Sequence, residues 1–138
     1  MKNLILIILL FPSFLSIAQD DIHPIDFQNK NCLENAVPTT IGSIKCEMEA
    51  LEAWKLELSE ILKRLKTNKE LLDISLLEEA QANWLIFHES SLKFYYSYYQ
   101  IQYQGGTMAR AAVVSFEKRQ LRERVLYLAD LYIELYEN

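Results

Sequence analysis

The sequence predicts an all-α fold, an antiparallel bundle of three long helices preceded by a disulfide-tethered N-terminal arm. Over three long stretches, apolar residues recur at alternating steps of three and four, which is the spacing of one helix face. Turn residues at Thr67-Asn68 and at Gly105-Gly106 separate these stretches. Connections this short favour antiparallel neighbours. The sequence contains neither the period-two alternation of strands nor an internal repeat.

Residues 1–18 have the pattern of a cleaved signal peptide. Lys2 supplies a positive start, residues 4–11 are continuously apolar, and Ser16-Ile17-Ala18 is a small-x-small cleavage site. A membrane anchor is the alternative, but the apolar run is short for a span. No cysteine stands directly after the site, which argues against a bacterial lipoprotein. We therefore expect cleavage after Ala18, a single domain over 19–138, and a periplasmic or secreted location without a membrane anchor.

The charge of the chain restricts its partners. The formal net charge is −5, and loss of the signal peptide removes one lysine and no acid, so the mature domain is more acidic still. Nucleic-acid binding is disfavoured, because phosphates require a basic surface. A basic protein is a suitable partner for such a domain.

The two cysteines, Cys32 and Cys46, predict one disulfide. An even cysteine count in an exported chain is typical of disulfide bonding. A zinc site is the alternative, but no third or fourth ligand lies nearby in the sequence. Closing a loop of this length stabilises a fold by about 3 kcal/mol. The disulfide would tie the arm to the first long helix, where an unanchored terminus would fray.

The arm itself, residues 19–40, lacks a sustained apolar period. It contains Pro24, Pro38 and several Asp and Asn residues, which favour turns and irregular structure. We expect an extended or irregular arm with room for a short helical turn over residues 32–36.

The first long helix is expected to begin at Thr39 or Thr40, either of which is a good N-cap, and to end near Lys66. Basic residues close to its end complement the helix dipole. Its apolar seam consists of Leu51, Trp54, Leu58, Ile61 and Leu65.

The second helix is expected to begin near Lys69 and to end at Gly105-Gly106. Five of the eight tyrosines lie between residues 94 and 103. They fit a core margin better than a binding surface, although tyrosine is enriched at interfaces. The inward seam is predicted to consist of Leu77, Ala80, Trp84, Phe87, Ser91, Phe94, Tyr98 and Ile101.

The third helix is expected to run from Met108, after the cap Thr107, to about Tyr136. Lys118 interrupts its apolar stripe, and the mixed charges of residues 117–124 are interpreted as a solvated face. The stripe consists of Ala111, Val114, Leu121, Val125, Leu128, Tyr132 and Leu135.

The sequence does not support a catalytic, cofactor or metal site. His23 has three aspartates nearby, but the spacing lacks the pairing of helical metal sites. His88 is interpreted as a boundary histidine. Glu78 and Glu79 are adjacent on a helix and point in different directions. No serine has the context of a nucleophile. An enzyme is therefore disfavoured.

Several short motifs occur in a particular order along the chain. They are Cys32-Leu33, Cys46, Trp54, Ala80-Gln81 followed by Trp84, Gly105-Gly106-Thr107, and Arg124 with Leu128. In order and spacing they resemble the lysozyme inhibitor LprI-like N-terminal domain family. The resemblance implies a small exported helical domain, some relatives of which inhibit lysozyme. It also implies a structural role for Trp54, Gln81, Trp84, Gly105, Gly106 and Arg124.

The departures from the family pattern are also informative. Ser59 and Leu62 stand where the family has Asn and Tyr, and His88 replaces an Arg. Leu92 and Phe116 occupy the places of two further family cysteines. Because both cysteines are lost together, we hypothesise that an apolar contact between Leu92 and Phe116 replaces an interhelical disulfide.

These observations favour an exported, non-catalytic binding protein resembling the LprI-type lysozyme inhibitors, with a basic protein such as lysozyme as its partner. The alternative is a periplasmic interaction or scaffold module that has a different partner and does not inhibit lysozyme. The expected partner surface consists of Glu47, Glu52, Glu89, Tyr95, Tyr99 and Tyr103.

Overall fold

A computed structural model describes residues 22–137, in which the chain forms four α-helices and no strands. The helices are α1 (Pro24–Asn35), α2 (Thr40–Lys66), α3 (Ile74–Gln102) and α4 (Gly106–Glu137). The all-α prediction is confirmed, but the number of helices is four and not three. The predicted signal peptide, residues 1–18, lies outside the described residues.

The predicted irregular arm is wrong, because most of it forms helix α1. Pro24 occupies the first helical turn, where its missing N–H leaves no intrahelical bond unmade. The imidazole Nδ1 of His23 caps the helix by accepting from the Ile25 N–H at 3.3 Å. The helix ends before Val37, which Pro38 biases toward extended backbone.

The predicted start of α2 is confirmed. Thr39 is the N-cap, and its Oγ1 accepts from the Gly42 N–H at 3.1 Å. A Cβ atom at position 42 would overlap the carbonyl oxygen of Val37, so the close approach of the two segments requires glycine. Thr67 caps the C-terminus, as the expected Thr67-Asn68 turn implies.

Helix α3 begins later than predicted, at Ile74 and not near Lys69. Asp73 is its N-cap, with Oδ1 accepting from the backbone N–H groups of Ser75 at 3.0 Å and Leu76 at 3.2 Å. The preceding residues turn on the carbonyl of Asn68, which accepts from the N–H groups of Leu71 and Leu72. A carboxylate cap satisfies two N-terminal donors at once, and it therefore sets the start of the helix.

The turn between α3 and α4 uses left-handed backbone. Gln104, Gly105 and Gly106 have φ angles of 53°, 79° and 77°. Glycine adopts this region without the Cβ penalty that other residues incur. Helix α4 consequently begins at Gly106, two residues before the predicted Met108.

Helix α4 is the centre of the domain. One core cluster joins Leu51 and Trp54 of α2 to Leu121 and Val125 of α4. A second cluster joins the end of α2 to the end of α4 through Leu65, Ile61 and Leu128. Both helices advance in the same direction through these clusters, so α2 and α4 run parallel.

Helices α3 and α1 run antiparallel to α4. In α3, Tyr95 lies against Phe116 while Gln81 lies against Arg124. In α1, Asp26 Oδ2 accepts from Arg122 Nε at 2.7 Å, and Asn29 Oδ1 accepts from Lys118 Nζ at 2.8 Å. Successive long helices are therefore antiparallel, as predicted.

The predicted disulfide is present. Cys32 of α1 and Cys46 of α2 are bonded, with their Cα atoms 5.6 Å apart. Asn29 Nδ2 also donates to the Cys46 carbonyl oxygen at 3.1 Å. Because α1 has no fully buried residue, these links and its polar contacts with α4 hold it in place.

No helix within residues 22–137 is long and apolar enough to cross a membrane.

Candidate interaction surface

The motif residues of α3 and α4 meet in one contact. Arg124 Nε donates to Gln81 Oε1 at 3.0 Å. The Arg124 guanidinium carbon lies 5.6 Å from the Trp84 ring centroid and 5.6 Å from the Tyr127 ring centroid. These distances are within the range of cation–π attraction. The three motif residues therefore clamp α3 onto α4.

His88 extends this contact toward the middle of the domain. Its ring is stacked on Trp84, with centroids 4.9 Å apart and an interplanar angle of 11°. Its Nδ1 lies 2.8 Å from Gln120 Oε1, and because an amide oxygen only accepts, the imidazole N–H donates. His88 is the one buried residue of α3, so its prediction as a boundary residue is wrong.

Arg124 combines partial burial with neutral partners. It is half-buried, and this burial lowers the pKa of its guanidinium from the ordinary value, although the neighbouring Tyr127 opposes the shift. Within residues 22–137 it forms no salt bridge, and its polar partner is the Gln81 side-chain amide. Its two terminal nitrogens keep donors that a planar acceptor could use.

An open groove borders this arginine. It has a volume of about 240 Å³ and lies between α3 and α4. Three aromatic rings form its walls, and one cation and one carboxylate also line it. The lining residues are Trp84, Phe87, Gln120, Glu123, Arg124 and Tyr127.

The remaining motif residues have structural positions. Trp54 is fully buried between α2 and α4. The His23 ring lies 4.4 Å from it, and the Arg122 guanidinium lies 6.0 Å from it. Gly105 and Gly106 form the left-handed turn. These motif residues therefore lie at a helix–helix contact or in the turn between α3 and α4.

The outer face of α3 is the largest unexpected feature. The predicted inward seam is wrong over its second half, because Phe87, Phe94, Tyr98 and Ile101 are 46–78% exposed. The residues that turn toward α4 are displaced around the helix by about one position. They are Leu77, Gln81, Trp84, His88, Leu92, Tyr95 and Tyr99, all of which are buried or half-buried.

We call the exposed stripe the α3 face and define it as Leu76, Phe87, Phe94, Tyr98 and Ile101. Its members recur at helical spacing and so lie along one side of the helix. Exposed large apolar residues gathered on one side of a helix often mark a binding surface. Phe87 also lines the groove, so the α3 face and the groove are continuous.

The candidate tyrosines are divided between core margin and surface. Tyr95 packs against Phe116 with ring centroids 3.9 Å apart. Tyr99 follows it along the helix, 5.8 Å from Tyr95 and 6.0 Å from Tyr103. Tyr95 and Tyr99 are half-buried, whereas Tyr103 is exposed. The three tyrosines therefore form a row along α3, and Tyr95 and Tyr99 are turned toward α4.

The candidate glutamates have different environments. Glu47 is buried, and Lys118 Nζ lies 2.7 Å from its Oε2. The carboxylate is therefore occupied inside the domain, and its expected place on a contact surface is wrong. Glu52 is exposed and pairs with Lys55 at 2.9 Å. Glu89 is exposed on α3.

The charged run 117–124 was predicted to be a solvated face, but several of its members lie inside the domain. Lys118 pairs with Glu47 and also donates to Asn29 Oδ1 at 2.8 Å. Arg122 pairs with Asp26. The signal that could have revealed this is the position of Lys118 within the apolar stripe of its own helix, which places it facing inward.

These features define a small, disulfide-tethered helical domain with an aromatic surface. Within the described residues, no group of three or more His, Cys, Asp or Glu side chains could hold a metal ion. The model of one family, lysozyme inhibitor LprI, matches residues 32–128. The chain belongs to this family. No curated protein and no solved structure matches the chain.

Proposed function

We propose that the protein is an exported, non-catalytic binding protein that inhibits a lysozyme, and that the α3 face is its principal contact surface. The observation that carries this proposal is the exposure of Phe87, Phe94, Tyr98 and Ile101 along one side of a rigid helix. Aromatic residues on a preformed surface supply binding energy at low cost in conformational entropy.

The composition of interfaces supports this choice of surface. Trp, Tyr, Phe and Arg are enriched at the centres of protein–protein interfaces. The α3 face and the adjoining groove contain all four types, including Trp84, Tyr127 and Arg124. Membership of the LprI family supports a lysozyme as the partner.

The charge of α3 supports a basic partner. This helix carries Glu78, Glu79 and Glu89 against a single lysine, Lys93, and all four side chains are exposed. An acidic helix attracts a basic protein and orients it during association. Glu89 and Tyr103 remain in the proposed surface beyond the α3 face, whereas Glu52, which pairs with Lys55 on α2, lies outside it.

A bacteriolysis assay tests the proposal. The purified protein is added at increasing concentration to a lysozyme–cell suspension, and the rate of clearing is followed. We expect clearing to slow in a saturable manner. Unchanged clearing at micromolar excess over lysozyme would contradict the proposal.

Charge-reversal variants distinguish a specific effect of the α3 carboxylates from a general charge effect. Glu79→Lys with Glu89→Lys reverses charge on α3, whereas Glu52→Lys with Glu60→Lys reverses the same charge on exposed positions of α2. We expect the α3 pair to weaken inhibition more than the α2 pair. Equal loss in both variants would mean that net charge alone drives the association.

A second candidate function is that of a periplasmic scaffold module that binds another helix. The helical spacing of the α3 face favours this candidate, because an apolar stripe of period 3.5 packs well against a second helix. A periplasmic pull-down in which the α3-face residues are required, but in which lysozyme is neither captured nor inhibited, would favour it.

A further inference from the structure

We propose that the groove between α3 and α4 is a binding site for a carboxylate attached to an apolar group, as at the C-terminus or an acidic residue of a polypeptide. The site comprises Arg124 as the anion-binding group and Trp84, Phe87 and Tyr127 as its apolar walls. The inference rests on the groove alone and does not depend on whether lysozyme is the partner.

Arg124 lacks an acidic partner within the described chain. Its guanidinium is half-buried, and within the described chain no carboxylate forms a salt bridge with it. By contrast, the neighbouring Arg122 has Asp26 at 2.7 Å and Lys118 has Glu47 at 2.7 Å. Within residues 22–137, the partly buried Lys118 and Arg122 are thus paired with acids, whereas Arg124, which borders the groove, is not.

The Arg124 side chain is pre-organised for an anion. Its Nε donates to Gln81 Oε1 at 3.0 Å, and the ring centroids of Trp84 and Tyr127 both lie 5.6 Å from its guanidinium carbon. This arrangement fixes the plane of the side chain and leaves the terminal N–H groups without a hydrogen bond within residues 22–137. A planar fork in this state matches the two oxygens of a carboxylate.

The groove is small, and its walls are aromatic and exposed. The groove holds about 240 Å³, which suits one side chain or chain terminus and not an extended polymer. Phe87 and Tyr127 are more than half exposed, so an apolar ligand group would remove aromatic surface from water.

Glu123 determines the orientation of the ligand. It lines the same groove next in sequence to Arg124, and its carboxylate repels an anion that approaches its side. We therefore expect the bound carboxylate at the Arg124 guanidinium, with the apolar group against the aromatic walls. Removing the charge of Glu123 should tighten binding, whereas removing the charge of Arg124 should weaken it.

Titration by NMR tests the site, with the indole N–H signal of Trp84 as the reporter and the buried Trp54 as an internal reference. The probe is N-acetylphenylalanine. Its amide lacks the carboxylate, and acetate lacks the ring. We expect saturable binding of the first at millimolar concentration and binding of the other two that is weaker by about tenfold.

Two further probes distinguish the source of the carboxylate. Acetyl-Gly-Gly-Phe carries it at the chain end, and acetyl-Phe-Glu-Gly-amide carries it on a side chain. Tighter binding of either peptide than of N-acetylphenylalanine assigns a polypeptide ligand of that kind. Tighter binding of N-acetylphenylalanine than of both peptides would overturn the polypeptide assignment in favour of a free small carboxylate.

Three variants complete the test. Arg124→Gln should lose binding by about tenfold or more, Glu123→Gln should strengthen it, and Arg110→Gln, an exposed arginine of the same helix, should leave it unchanged. Circular dichroism confirms that each variant is folded. Equal binding of acid and amide, or undiminished binding in a folded Arg124→Gln variant, would overturn the proposal.

Discussion

Arg124 of α4 donates its Nε–H to the side-chain oxygen of Gln81 of α3 across 3.0 Å. This contact joins residues that are 43 positions apart in the chain, and it explains why an Ala-Gln-x-x-Trp motif and a distant arginine occur together. The two helices share fewer apolar core contacts than α2 and α4 do, so a directed polar clamp has a larger part in their alignment.

The clamp predicts a measurable coupling between its two residues. Gln81→Ala and Arg124→Ala should each lower the free energy of unfolding, and the double variant should cost less than the two single losses together. The expected coupling is about 1 kcal/mol. Urea denaturation of the four proteins measures it. Strict additivity would contradict a direct interaction.

Arginine geometry should matter at this position. Lysine keeps the charge but has no Nε–H and no planar group to lie near two rings. Arg124→Lys should therefore destabilise the domain, by about 1 kcal/mol. The matched variant Arg110→Lys, on the exposed side of the same helix, should leave the midpoint of the urea transition unchanged.

The inward Glu47–Lys118 pair predicts a difference between two glutamates of one helix. Glu47→Ala leaves the Lys118 ammonium without its anion, and the cost should be about 3 kcal/mol. Glu52→Ala breaks an exposed pair with Lys55 and should cost less than about 1 kcal/mol. Thermal or urea unfolding of the two variants measures the difference.

A compensating double change sharpens the comparison. Glu47→Leu with Lys118→Met replaces the pair by apolar side chains and should recover much of the lost stability. Similar losses in Glu47→Ala and Glu52→Ala would mean that Glu47 is solvated.

Acid sensitivity of α3 should depend on its cap. The hydroxyl of Ser75 and the backbone N–H groups of Leu76 and Ser75 favour the ionised carboxylate and lower the pKa of Asp73 below its ordinary value. Its contribution to stability is therefore complete above the unfolded-state pKa and is lost as the pH falls through the folded-state pKa.

Asp73→Asn keeps a capping side chain but removes this titration. The stability difference between wild type and variant should shrink as the pH falls from neutral toward 3 (about one unit below the ordinary aspartate pKa). Urea titrations at several pH values measure the difference. A constant difference across the range would contradict the assignment.

The hypothesis that an apolar contact between Leu92 and Phe116 replaces a family disulfide can be tested by restoring the two cysteines. His88 lies against Gln120 and Tyr95 lies against Phe116, which places Leu92 at the same level of the helix pair as Phe116. Leu92→Cys with Phe116→Cys should therefore form a second disulfide under oxidising conditions. Intact mass and resistance to alkylation without reductant report the bond.

The control for this cross-link uses the outer face of the same helix. Phe94→Cys with Phe116→Cys places one thiol on the exposed side of α3 and should remain reduced within the monomer. An efficient cross-link in the control pair, or none in the Leu92 pair, would show that the register inferred from the family pattern is wrong.

Local signals predicted the features that depend on local chemistry. Thr39 has the residue type and position of an N-cap and is one. The cysteine count and the predicted signal peptide together predicted the Cys32–Cys46 bond. The two glycines after α3 predicted the turn, although the last of them begins α4.

Features that depend on tertiary contacts were not predictable in the same way. Helix α1 has no apolar period and no buried stripe. Asp26, Asn29 and Cys32 hold it to the domain instead. On α3 apolar residues occupy more than one side, so periodicity alone could not decide whether Phe87 or His88 faces inward. The packing of α4 makes that choice, and the single buried residue is the histidine.

Inhibition by a variant of the α3 face tests most directly whether this face binds lysozyme. Phe94→Ser with Tyr98→Ser removes two exposed rings, whereas Leu56→Ser removes an exposed apolar residue of α2. We predict that wild type and Leu56→Ser slow bacteriolysis equally and that the double variant requires at least about tenfold more protein. Equal inhibition by all three, with each shown to be folded, would contradict the account.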